Sequence, residues 1–138
     1  MSKVQIRIVL VDDHKIVREA WITMLRFNDS FTVVGECDNG YSAMELIEKI
    51  ETDIIIMDIN MAPINGFELA KIISDTHPLI KIIGVSVNND SRYAARMIES
   101  GAKGFLTKTT SVDEIIDGIQ KVYNGETYIC EEIRNKMS

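Results

Sequence analysis

The chain has 138 residues, 46 % of them apolar and 26 % charged, with a formal net charge of −6. That length suits one domain with its own core, and that composition excludes a chain that is disordered throughout. An acidic surface repels phosphate backbones and no basic stripe interrupts it, so this domain by itself is not expected to bind nucleic acid.

The first predicted strand is Ile6–Val11, whose apolar run does not alternate with polar residues. That pattern marks a strand buried on both faces of a parallel sheet. Val17, Ala20, Trp21, Met24 and Leu25 then fall on one stripe at helical spacing. Phe31–Cys37 reads as the second strand, and Ala43, Leu46, Ile47 and Ile50 as the stripe of a second helix. Asp53–Met57 is the third strand, followed by a helix carrying Leu69, Ala70 and Ile73 that His77-Pro78 closes. Lys81–Val87 is the fourth strand, and Ala94, Met97 and Ile98 mark a fourth helix that stops at Gly101. Gly104–Thr107 is the fifth strand. The last helix carries Val112, Ile115, Ile116 and Ile119 and stops at Gly125. Ser111, with Glu114 three residues on, predicts a capping box at its start. Residues 125–138 show no clear stripe and are expected to be a linker or the start of one more helix.

Strand and helix thus alternate five times, which implies a parallel sheet covered on both faces with right-handed crossovers. The expected fold is α/β, a flavodoxin-like doubly wound (βα)5 three-layer sandwich with strand order 2-1-3-4-5. No apolar run exceeds the length of Ile8 to Val11 or Ile54 to Met57, far below the roughly 20 residues of a membrane span. No signal-peptide pattern opens the chain. Cys37 and Cys130 lack metal-binding spacing and read as free thiols in a reducing compartment, so a cytoplasmic location and no membrane partner are expected. Trp21 and the seven methionines read as core or helix-surface residues.

In a doubly wound sheet, function gathers beyond the carboxyl ends of the strands. Here those ends carry Asp12-Asp13, Asp58-Ile59-Asn60, Ser86-Val87 and Thr107-Lys108. Three carboxylates at one edge repel one another unless a countercharge joins them. Lys108 is one such charge; a hard dication such as Mg²⁺, held by Asp12 and Asp13, is the other. Either Asp of that pair also suits the N-cap of the first helix, which is what a lone Asp-Asp usually means. Asp58 is the nucleophile candidate, since a carboxylate can attack phosphorus to form an acyl phosphate. Such a transfer needs little beyond positioning and neutralised charge, from Lys108 and a donor such as the Ser86 hydroxyl. His14 reads as a solvated first-turn residue.

These residues resemble the receiver domains of bacterial two-component response regulators. The motifs are Val11-Asp12-Asp13-His14, Asp58 with Met61 and Gly66 at the expected offsets, Ser86, and Gly104-Phe105-Leu106-Thr107-Lys108. The segments Gly101-Ala102-Lys103-Gly104-Phe105 and Gly125-Glu126-Thr127-Tyr128 resemble the NarL/FixJ (LuxR-type) branch. The likeness implies that residues 1–124 form the receiver domain and that Asp58 is the phosphoacceptor. It implies that Asp12, Asp13, Asp58 and the backbone carbonyl of Asn60 bind Mg²⁺, and that Lys108 contacts the phosphoryl group. Ser86 would be the switch hydroxyl and Phe105 the aromatic that swings inward with it; without the likeness, Phe105 reads as plain strand packing. The implied partners are a sensor histidine kinase as phosphodonor and, on phosphorylation, a second copy of the chain. Regulators of this branch continue into a helix-turn-helix domain that binds DNA and controls transcription. No such domain is expected within these residues, so the chain reads as a receiver separated from its output.

The pattern departs from the family at Ala62-Pro63, where proline comes one residue late, and at Thr109, where many receivers have proline. A reshaped loop after the third strand is expected, with the site retained. Asn60 and Asn88, at the positions associated with phosphoryl lifetime, cannot act as general bases, which implies slow loss. A haloacid-dehalogenase-type phosphatase would have Asp at position 60, so turnover catalysis is not expected. A nucleotide-binding module would have a glycine-rich loop after the first strand. The remaining alternative is a pseudo-receiver that serves only as an interaction module.

Overall fold

The β-branched apolar runs form strands and the stripes form helices in strict alternation. The computed structural model describes residues 4–137. In chain order the elements are β1 (Ile6–Val11), α1 (Lys15–Arg26), β2 (Phe31–Cys37), α2 (Gly40–Lys49), β3 (Ile54–Asp58) and α3 (Gly66–Thr76). They continue with β4 (Lys81–Ser86), α4 (Ser91–Glu99), β5 (Gly104–Thr107), α5 (Val112–Tyr123), β6 (Tyr128–Ile129) and α6 (Glu131–Arg134). The strands form one parallel sheet in the order β2-β1-β3-β4-β5-β6. The predicted order of the first five is present, and β6 extends the sheet beyond β5.

The core follows from the strand composition. Ile8, Ile54, Ile55, Met57, Ile82 and Ile83 are fully buried between the helical layers, joined by Leu25, Leu69, Ile73 and Met97 from the helices. Each such side chain contributes about 1.5–3 kcal/mol on leaving water. Edge strand β2 is buried at Phe31 and Cys37, exposed at Thr32 and Glu36 and half-buried between them, so it is less enclosed than the central strands. Gly101 and Gly125, after α4 and α5, take φ of 109° and 97°, the left-handed conformation that ends a helix. Cys37 and Cys130 are free and buried. Among the described residues, no helix is long and apolar enough to cross a membrane.

Local details differ from the expectation. The segment after Gly125 packs as part of the domain: Tyr128 and Ile129 pair with Gly104 and Phe105, and Cys130 and Ile133 are fully buried. A two-residue strand is too short to leave a periodic signal. The predicted capping box at Ser111 is only half closed. Ser111 Oγ accepts from Glu114 N, but the Glu114 carboxylate turns away to accept from Tyr128 OH at 2.6 Å and Glu131 N at 2.7 Å. The reciprocal box forms instead at Asn65 and Glu68, at the start of α3. Strand β4 ends at Ser86, with Val87 exposed, and β3 runs one residue later than predicted, ending on Asp58.

Asp53 precedes β3 and fastens its base to β1. Its Oδ2 accepts from Arg7 N at 2.8 Å and Arg7 Nε at 3.0 Å, and its Oδ1 accepts from Arg7 Nη2 at 3.0 Å. Burial opposes ionisation of Asp53, but the Arg7 bonds outweigh it and hold the carboxyl below the usual range. A depressed carboxyl stabilises the fold above its unfolded value, roughly pH 3.9, and loses that contribution as pH falls through the folded value. Asp53→Asn should therefore lower stability by about 1 kcal/mol at pH 7. The deficit should shrink progressively as pH falls below about 4, as read by urea denaturation at pH 7 and at successively lower pH.

Candidate functional site

Four strand ends meet at one edge of the sheet. β1 delivers Asp12, which is 6 % exposed and anchored by its N–H donating to Cys37 O at 3.1 Å. Arg18 Nη1 donates to Asp12 O at 2.6 Å, so α1 also fixes the turn. Asp12 does not cap α1. The N-cap is His14, whose N–H donates to Asp12 Oδ1 at 2.8 Å. The His14 ring is largely exposed, as expected, yet its Nδ1 lies 3.1 Å from Asp12 Oδ1 and 2.9 Å from Asp13 Oδ1. It sits at the helix boundary against both carboxylates, which the sequence signalled only by adjacency.

β3 delivers Asp58, 4 % exposed. Its Oδ1 accepts from Asn60 N at 3.0 Å, which brings residue 60 to the cluster. Ile59 N donates to Val85 O and Gly66 N to Ile59 O, so the chain leaving β3 is pinned on both sides. The Ala62–Pro63 peptide in this loop is cis, and Met61 and Ile64 are buried. β4 delivers Ser86, fully buried, whose Oγ accepts from Asn88 N at 2.9 Å. β5 delivers Thr107 and, just past it, Lys108, whose N–H donates to Ser86 O at 2.9 Å. Lys108 Nζ lies 3.5 Å from both Asp12 Oδ2 and Asp58 Oδ2. Phe105 is fully buried, so its ring already occupies an inward position.

The electrostatics follow from this arrangement. Burial pushes the Asp58 carboxyl up; the Asn60 N–H and the Lys108 ammonium pull it down, and Asp12 and Asp13 add to the rise, leaving it above the usual carboxylate range. One ligand atom from each of Asp12, Asp13, His14 and Asp58 lies within 4.8 Å of the others. Three carboxylates facing one ammonium form a hard, net-negative donor set that fits a small oxygen-seeking dication.

A doubly wound sheet with buried carboxylates, a hydroxyl and an ammonium converging beyond its strand ends defines the class: an α/β domain with an acidic, lysine-closed pocket at the topological switch point. The sequence pattern of the response regulator receiver domain matches residues 8–120. The chain belongs to that family.

Among curated proteins, the transcriptional regulatory protein DegU of Brevibacillus brevis is 33 % identical over 133 residues, covering 96 % of this chain and 56 % of DegU. The response regulator GacA of Pseudomonas viridiflava is 32 % identical over 133 residues, covering 96 % of this chain and 62 % of GacA. The chain therefore spans less than two thirds of these relatives. The crystal structure of a LuxR-family response regulator from Aurantimonas sp. SI85-9A1 superposes with a TM-score of 0.92 at 27 % identity, over 96 % of this chain and 95 % of that one. The signal receiver domain of NarL from Mycobacterium tuberculosis gives 0.84 at 28 % identity, over 89 % and 99 %. These relatives carry the likeness to the LuxR/NarL branch.

Proposed function

We propose that this domain is a phosphorylation-dependent switch in which Asp58 accepts a phosphoryl group from the phosphohistidine of a sensor kinase. The observation that carries the reading is the position of Lys108 Nζ, 3.5 Å from carboxylate oxygens of both Asp12 and Asp58 at the end of the sheet. An Asp58 oxygen attacks phosphorus, the donor's P–N bond breaks, and the imidazole leaves with the electron pair. With acetyl phosphate a P–O bond breaks and acetate leaves. Lys108 neutralises the phosphoryl oxygens, and the Ser86 hydroxyl donates to one of them once it has moved. Mg²⁺, when bound by Asp12, Asp13, Asp58 and the backbone carbonyl of Asn60, supplies further neutralising charge.

Acyl phosphate in place of carboxylate adds roughly one negative charge and new acceptor oxygens. That favours the state in which Ser86 and Lys108 close on the phosphate, and the population shifts toward it. Asp58 is then the substrate of the switch and the domain turns over no outside substrate. By analogy with DegU, a transcriptional regulatory protein, the output is transcription, with the DNA-binding domain and the second copy of the chain that the family resemblance implies.

Incubation with Mg²⁺ and acetyl phosphate, followed by intact mass, tests the reading; one phosphoryl adduct is expected. Folded protein that takes none under these conditions is a pseudo-receiver. Lys108→Ala should still accept phosphate, about tenfold or more slowly. It should lose the change in amide hydrogen exchange of residues 87–90 that phosphorylation brings to the wild type. A variant that keeps that change removes Lys108 from the switch.

A further inference from the structure

One exposed carboxylate ties the C-terminal segment to the end of β5 and to the loop that follows β4. Glu132, on α6, accepts at Oε1 from Thr107 Oγ1 at 2.9 Å and from Thr109 Oγ1 at 3.3 Å. At Oε2 it accepts from Asn89 Nδ2 at 3.2 Å. Lys136 Nζ adds a bond to Asn89 O at 3.1 Å. The bonds from Asn89 and Thr107 hold the Glu132 carboxyl below its ordinary range, so it is charged throughout neutral pH.

Thr107 and Asn89, two of the three residues that donate to Glu132, lie beside groups that the phosphoacceptor reading sets in motion. Thr107 pairs with Ser86 across β5 and β4 and immediately precedes Lys108. Asn89 lies in the loop between β4 and α4, whose near end is fastened by Asn88 N donating to Ser86 Oγ. When that hydroxyl moves toward a phosphoryl oxygen, the Asn88 N–H loses its acceptor and the loop is freed at that end. A carboxylate that bridges two segments holds both only while their separation is kept. The other end of the tail is tethered independently: Glu114 accepts from Tyr128 OH and Glu131 N, and Cys130 and Ile133 are buried. Loss of the Glu132 bonds therefore loosens α6 about a fixed base and does not detach it.

We infer that Glu132 is a coupling residue that straps α6 to the β4–α4 loop and to the end of β5, so that displacement of that loop loosens α6. The trigger rests on the phosphoacceptor reading of Asp58; the strap does not. Amide hydrogen exchange across residues 131–137 of the 138-residue chain tests both parts. Without any phosphodonor, Glu132→Ala should speed exchange of this segment about fivefold and Glu132→Gln by less, since the amide retains one acceptor oxygen. Glu131→Gln, the same charge change one residue away, should leave exchange unchanged.

In the wild type, beryllofluoride with Mg²⁺ should speed exchange of the same segment, and in Glu132→Ala it should add nothing further. Unchanged exchange in Glu132→Ala overturns the strap. Beryllofluoride that alters residues 87–90 but leaves 131–137 as protected as before overturns the coupling. Failure of the wild type to gain a phosphoryl adduct from acetyl phosphate sinks the Asp58 reading and the trigger together, while faster exchange in Glu132→Ala still upholds the strap.

Discussion

Asp58→Asn should abolish the phosphoryl adduct and, in metal-free buffer, make the protein more stable by about 1 kcal/mol at pH 7. The two effects have one origin. Asp58 is 4 % exposed, shares its edge of the sheet with Asp12 and Asp13, and has the Lys108 ammonium 3.5 Å from its Oδ2 to offset them. Burial pushes its carboxyl up, and the neighbouring carboxylates add to what the Asn60 N–H and Lys108 take away. A carboxyl raised in the folded state favours the fold fully only below its unfolded value, roughly pH 3.9, and that favour is lost as pH rises through the folded value. At pH 7 the ionised group therefore weakens the fold. Asparagine keeps an Oδ1 acceptor for Asn60 N–H and removes the charge.

The gain should shrink toward zero as pH falls below about 4, and Mg²⁺ should stabilise the wild type more than the variant. Urea denaturation with chelator or with Mg²⁺, beside intact mass after acetyl phosphate, reads all of this. An undiminished adduct would move the acceptor to another residue, and a loss of stability would mean that the pairing with Lys108 outweighs the repulsion.

Gly66→Ala should destabilise the domain by about 2–3 kcal/mol and slow phosphorylation of Asp58. Helix propensity alone points the other way, since alanine is the better helix former by up to about 1 kcal/mol. The contact decides the sign. A Cβ on Gly66 would lie 2.5 Å from Ile59 Cα and 3.1 Å from Asp58 O. These are backbone atoms, so no side-chain rotation relieves the clash. Gly66 N also donates to Ile59 O at 2.9 Å, which holds the start of α3 against the end of β3. The helix must move off the strand or the strand end must move with Asp58 on it. Equal or greater stability of the variant, by thermal or urea denaturation, would refute the close approach.

Much of this was legible in one dimension because the period of a strand or a helix is local. The unbroken apolar runs at Ile8–Val11 and Ile54–Met57 foretell strands buried on both faces, and alternation with striped helices leaves few topologies. Once the order 2-1-3-4-5 is in hand, Asp12, Asp13, Asp58, Ser86 and Lys108 fall at one edge, because parallel strands end on the same side. Chain order and residue type therefore bring the candidate site together, and the motifs that carry it resemble the family.

Tertiary structure decided what depends on partners distant in sequence. Glu114 has the spacing of a capping box, yet its carboxylate goes to Tyr128 OH and Glu131 N because β6 brings that segment alongside α5. His14 meets two carboxylates because its own N–H bonds Asp12 Oδ1 and turns the chain there. Glu132 has no local reason to differ from Glu131, and only the packing of α6 beside β5 sets it between Thr107 and Asn89. The physical reason is the same in each case. Period and propensity describe a residue's nearest neighbours along the chain, whereas a carboxylate bonds whichever donors the fold carries to it.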